Sequence, residues 1–138
     1  MTNPHDIGPL GQEWIALQHE HEQHERNALL IKLLAVTLTV VALGLQLSTP
    51  ATVGVVALLW LQDGIVKTFQ SRLGLRLARI EALVREAAPG AQAFQLHSEW
   101  LASRKGSAGL LIEYLVNACK PTVAFPYVVL VFGLVLLR

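Results

Sequence analysis

Residues 28–47 form an apolar run broken by one charge, Lys32. About twenty predominantly apolar residues in a helix cross the ~30 Å hydrocarbon core of a bilayer. Helices buried in soluble proteins rarely need so long a run. This feature sets the class: an all-α integral membrane protein. Two further runs agree with it. Residues 51–66 are apolar through Leu61, with Gln62 and Asp63 toward the far end. Residues 121–137 are apolar and are followed by Arg138. The connector at 47–51 is uncharged, and Pro50 suits the first turn of a new helix. Together these features predict a long antiparallel transmembrane hairpin and a third, C-terminal membrane helix.

Composition narrows the class further. Charged residues make up 15% of the chain, against about 25% in typical globular domains. The net charge of +1 offers no general attraction to nucleic acid, so lipids are the expected surroundings. Cys119 is the single cysteine, which rules out an intramolecular disulfide framework. The first run starts too late and runs too long for a signal peptide. Lys67, Arg72, Arg76, Arg79, Arg85, Arg104, Lys105 and Lys120 all lie between the second and third runs. The positive-inside rule puts that segment in the cytoplasm. The expected location is the cell membrane, multi-pass, with the N-terminus cytoplasmic and the C-terminus outside.

The helices extend beyond the membrane. A seam at three-and-four spacing runs through Leu10, Trp14, Leu17, His21, His24, Ala28, Ile31, Ala35, Leu38, Ala42 and Leu45. Val66, Phe69, Leu73, Leu77, Ile80 and Val84 form a second stripe. The expected organisation is a tail at 1–9, then a helical hairpin over 10–88. Its spans lie at about 28–47 and 51–66, and its cytoplasmic arms at 10–27 and 67–88. A cytoplasmic or interfacial segment follows at 89–120, and the third membrane helix at 121–138. The Pro89-Gly90 pair stops the second helix. Folding the hairpin about Ser48 and Thr49 sets Glu25 against Arg72, Glu22 against Arg76, Glu20 against Arg79, and Glu13 against Arg85. The paired numbers sum to 97–99. Acidic residues on one arm would thus fix register against basic ones on the other, as flanking charges do in coiled coils.

Residues 19–25 read His-Glu-His-Glu-Gln-His-Glu. His19, Glu20, His21, His24 and Glu25 are candidate ligands for a divalent ion such as zinc, which accepts nitrogen and oxygen donors. One straight helix cannot turn all three histidines to one ion, so a full site needs another helix or chain. No cofactor is otherwise expected. His21 and His24 lie on the apolar seam, where protonation would be felt as pH falls toward 6.

Residues 92–103, with Phe94, His97, Trp100 and Leu101, fit a short helix on the inner membrane surface. Glu113, Asn117 and Lys120 share one helix face, which looks to water if residues 108–120 lie in the interface. With Asp63 they form a candidate polar site, since an ionisable group at membrane depth is costly. Asp63 can also pair with Lys32.

No Walker loop, dinucleotide fingerprint, nucleophile elbow or zinc-protease signature occurs. The expected function is therefore non-enzymatic. In that reading the chain self-assembles as a homo-oligomer, as a pore or channel, or serves as a subunit of a larger membrane complex. Small residues at Ala28, Ala35 and Ala42 suit close helix association. The alternatives are a small ion or metal transporter using the histidine–glutamate tract, and a membrane enzyme.

Overall fold

A computed structural model describes residues 8–87, 90–103 and 106–137. Residues 1–7, Pro89, Arg104, Lys105 and Arg138, which figured in the expectations above, lie outside them. Every element among the described residues is helical: α1 Pro9–Gly44, α2 Thr49–Arg85, a 3₁₀ turn Gly90–Gln92, α3 Leu96–Ser103, α4 Gly106–Ala118 and α5 Pro121–Leu136. Helices α1 and α2 are each long and apolar enough to cross a membrane. At 1.5 Å per residue each is about 55 Å long. Helices α4 and α5 pass the same test only as a pair, bent by 69° at their junction.

Helix α1 stops at Gly44, three residues before the apolar run ends. The chain closes it with a Schellman motif. The Leu47 N–H donates to the Ala42 carbonyl at 3.0 Å, and the Gln46 N–H to Leu43 at 3.2 Å. Gln46 takes the left-handed position, φ 54°, which usually falls to glycine. Pro50 then sits in the first turn of α2, where its missing N–H costs nothing.

This turn lies earlier than the sequence suggests, and the register moves with it. Lys32 faces Asp63 and Trp14 faces Glu81. Both pairs sum to 95, about three below the expected value. Contacts join Trp14 to Glu81, His21 to the Gly74 position and Lys32 to Asp63. The seam on α1 is buried at Leu10, Leu17, Ala35 and Ala42, but Thr39 is buried in place of Leu38. A straight helix turns every 3.6 residues, so a strict seven-residue pattern drifts off its face.

Two apolar cores result. One, on the arms, joins Leu10, Leu17, Leu77, Ile80 and Leu83 to Ala93. The other joins Ala35 of α1, Val56 of α2, and Val123, Tyr127 and Leu134 of α5. The small seam residues Ala35 and Ala42 are thus buried within the protomer.

Helix α4 docks on α2 through a close approach. A Cβ built at Gly64 would lie 2.7 Å from the Ala118 Cβ and 3.1 Å from its Cα. Pro121 keeps Lys120 extended, at ψ 136°, which breaks α4 from α5. Gly64→Ala gains at most ~1 kcal/mol of helix propensity. Overpacking against a backbone costs about 1–3 kcal/mol. The expected result is a lower thermal midpoint for Gly64→Ala, recovered when Ala118→Gly is added. A higher midpoint in the single variant would show that α4 yields freely.

Candidate functional site

Polar side chains converge in two places: a buried cluster between α1, α2 and α5, and a network that ties the arms to the segment after α2.

The first is centred on Asp63. Its side chain is fully buried, and its Oδ2 lies 2.7 Å from Lys32 Nζ, whose side chain is 24% exposed. The Tyr127 hydroxyl donates to the same oxygen at 3.2 Å. Among the described residues Asp63 Oδ1 has no hydrogen-bond partner. Each group comes from a different helix, so the cluster forms only when all three pack. Trp60 stacks parallel to Tyr127, with ring centres 6.0 Å apart, and donates its Nε1–H to the Ala118 carbonyl at 2.8 Å. The aromatic pair thus links the cluster to the α4–α5 bend. A fully buried carboxylate with one oxygen unpartnered is the least satisfied polar group of the cluster.

One turn along α2, Thr68 donates to the Gly64 carbonyl at 2.9 Å and accepts from Asn117 Nδ2 at 2.9 Å. Arg72, a further turn on, meets Glu113 at 3.0 Å. The Glu113–Asn117 stripe therefore packs against α2. Asn117 is buried there, while the Glu113 side chain stays 43% exposed; residues 68 and 72 of α2 repeat at the same four-residue spacing as 113 and 117. Lys120, the third member, is the N-cap of α5 and half-buried. The Arg72 guanidinium also lies over the rings of Phe69 and Trp100, 5.4 and 5.2 Å from their centres. It thereby holds α2, α3 and α4 together.

The second network replaces the expected arm pairing. Arg76 forms a two-pronged bridge to Glu13, Nε to Oε1 and Nη2 to Oε2, both at 2.9 Å. It also donates to Glu99 at 2.8 Å and to the Gln92 carbonyl at 2.8 Å. Glu13 Oε2 accepts the Phe94 N–H at 2.6 Å, which pins a residue in the left-handed region, φ 58°. The hydrogen bond to Glu13 raises the Arg76 pKa above its ordinary value, against the opposing effect of burial. Arg79, largely exposed, reaches Glu99 at 3.2 Å.

None of the four expected pairs forms. Arg76 takes Glu13 in place of Glu22, Arg72 takes Glu113 in place of Glu25, and Arg79 takes Glu99 in place of Glu20. Arg85 is exposed and lines a surface groove with Trp14 and Glu81. The shifted register sets Glu20, Glu22 and Glu25 opposite Leu75, Leu73 and Gln70, and the later helices supply nearer carboxylates.

The histidine–glutamate tract is spread around α1. His19 is exposed and accepts from Gln23, and Glu22 accepts from Gln18. His24 donates its Nδ1–H to the Glu20 carbonyl at 2.8 Å. His21 sits beside Gly74. Among the described residues no three histidine, cysteine, aspartate or glutamate side chains converge as metal ligands. His24 and Glu20 do line an apolar cavity of about 500 Å³ with Phe69, Arg72, His97 and Trp100.

Sequence reasoning passed over Tyr127, Thr68, Gln70 and Glu99. Tyr127 carries the one hydroxyl in the middle of an apolar run, which was the available signal. No protein-family model, curated protein or solved structure matches the chain.

Proposed function

We propose that the chain is a non-enzymatic, multi-pass protein of the cell membrane that acts by assembling with copies of itself. In this reading α1, α2 and α5 span the bilayer. The basic residues on the α2 arm and Lys120 keep the arms and the N-terminus cytoplasmic, with the C-terminus outside. The apolar windows of α1 and α2 are only 17% and 22% buried within the chain, which lipid contact explains.

The observation that carries assembly lies outside those windows. On the arms, Ile15 and Val84 are more than half exposed and line one groove with Trp14. Hydrocarbon does not reach that level, and large exposed apolar groups on a polar arm mark a protein contact. The paired arms also give a copy a long parallel surface to lie against. The test is mass by light scattering on the full chain in neutral detergent. The parent should be an oligomer, and Ile15→Glu with Val84→Glu should shift it toward monomer with helix content unchanged. A monomeric parent overturns self-assembly and leaves the role of subunit in a larger complex.

A second reading, cation or proton transfer, is favoured by the unpartnered Asp63 Oδ1. It moves the ion-handling idea from the histidine tract to the three-helix cluster. Ion flux into vesicles that is lost in Asp63→Asn would establish it, and its absence in the parent would remove it.

A further inference from the structure

Helix α4 turns its polar side chains inward. Glu113 meets Arg72 and Asn117 meets Thr68, both on α2. Its outward stripe is aliphatic: Leu111, Ile112, Leu115 and Val116 are 58–62% exposed. Leu75 of α2, 73% exposed, lines one groove with Ile112 and Val116 and extends the stripe. A helix facing water shows the opposite pattern, with polar residues outward. Protein interfaces favour aromatic residues and arginine inside a polar rim. The four outward residues of α4 are leucine, isoleucine and valine alone, which suits acyl chains better than a second protein.

We infer that this face is a lipid-contact surface, and that α4 enters the inner leaflet and forms a bent membrane segment with α5. The inference rests on the membrane reading proposed above. Depth along α2 supports it. With the α1–α2 turn at the outer boundary, a rise of 1.5 Å per residue from Thr49 puts Gly64 about 22 Å and Arg72 about 35 Å inward. The hydrocarbon core is ~30 Å thick and headgroups add several ångströms on each side. The Gly64–Ala118 approach therefore lies within hydrocarbon, and the Arg72–Glu113 pair among the headgroups, where the partly exposed Glu113 still meets water. The Arg72 guanidinium lies 5.2 Å from the centre of the Trp100 ring, and tryptophan is enriched at that boundary.

The break between α4 and α5 carries an independent sign of the same surroundings. Backbone outside a helix is tolerated at membrane depth only where the protein satisfies it. The Trp60 Nε1–H donates to the Ala118 carbonyl at 2.8 Å. The Cys119 N–H donates to Leu115 and the Lys120 N–H to Asn117. The Lys120 carbonyl accepts from Val123 and Ala124, and Pro121 has no N–H to place. Lys120 is half-buried, and its four-carbon stem can carry the ammonium back toward the headgroups.

Nitroxide accessibility in vesicles of phosphatidylcholine and phosphatidylglycerol tests this. Cys119, exposed at the end of α4, takes the label in the parent chain without any substitution. Val116→Cys, Ile112→Cys, Leu58→Cys and His19→Cys, each with Cys119→Ser, supply the other sites. Leu58 is an exposed residue of the α2 apolar stretch and His19 an exposed residue of the arm. Collisions with oxygen, which enters hydrocarbon, are compared with those of a water-soluble nickel chelate. A polar chelate is excluded from lipid, so the oxygen-to-chelate ratio at residues 116 and 119 should be on the order of tenfold above that at residue 19 and close to that at residue 58. Residue 112, nearer the headgroups, should fall between. A water-like ratio at 116 and 119 with a lipid-like ratio at 58 overturns the inference and leaves the membrane reading standing. Few collisions with either reagent at 116 and 119 show that protein covers the face, and overturn it too. A water-like ratio at 58 removes the membrane reading, and this inference with it.

Discussion

Replacing Arg76 with leucine is expected to destabilise the arms by about 3–5 kcal/mol, the range for removing one partner of a buried ion pair. The Arg76 side chain is 2% exposed and the Glu13 side chain 4%. Without the guanidinium, Glu13 keeps only the Phe94 N–H, and its second oxygen is buried without a donor. For a chain of this size the loss lowers the thermal midpoint by on the order of 10 °C. Arg76→Lys keeps a charge but cannot form the two-pronged bridge, so it should fall between leucine and the parent. Arg79→Leu is the control. Its side chain is 62% exposed, and such pairs contribute about 1 kcal/mol at most. Equal midpoints for Arg76→Leu and Arg79→Leu would show that the buried network does not hold the arms.

The Lys32–Asp63 pair should respond unequally to loss of its two partners. Lys32→Leu leaves a fully buried carboxylate facing only the Tyr127 hydroxyl. Asp63→Leu leaves an ammonium that is already partly exposed and can swing its long stem toward solvent. The lysine variant is therefore expected to lose about 3–5 kcal/mol and the aspartate variant less. The double variant, with apolar residues at both positions, should recover part of the lysine variant's loss, because no charge is left stranded. Thermal midpoints of the three variants in one detergent give the ordering. If Asp63→Leu proves the more damaging, the carboxylate has a role beyond pairing with Lys32, and a bound cation at its free oxygen becomes the leading explanation.

The helical class and the two long apolar helices were legible because run length and the position of proline act locally. Residues 28–47 are too long and apolar for most alternatives, and Pro50 fixes where a helix can begin. Axial register was not legible in the same way. A stripe of apolar residues determines which face of a helix is buried, but sliding one helix along the other keeps that face buried. The offset depended on the turn after Gly44, where Gln46 adopts a conformation that composition does not advertise. The polar partners failed for a related reason. The expected pairs considered two helices, whereas Glu99 and Glu113 arrive from α3 and α4 and compete for Arg76, Arg79 and Arg72. Glu113 and Asn117 both contact α2, at Arg72 and Thr68, whereas Lys120, expected on the same face, lies beyond the end of α4. What covers that face is set by the Gly64–Ala118 approach, which depends on the three-dimensional path of the chain.

The Arg76–Glu13 bridge also governs the order in which the chain can be completed. Glu13 emerges early during synthesis, but its partners stand 63 and 81 residues later. Arg76 in turn waits for Gln92 and Glu99. Contacts at such separations form slowly, because a long loop must close before they bring any gain. The α1–α2 turn can form as soon as residue 52 is made, so the hairpin can assemble from its tip. The arms gain their full set of hydrogen bonds only once α3 has been synthesised. Until then the Glu13–Arg76 bridge lacks the hydrogen bonds from Phe94 and to Gln92 and Glu99.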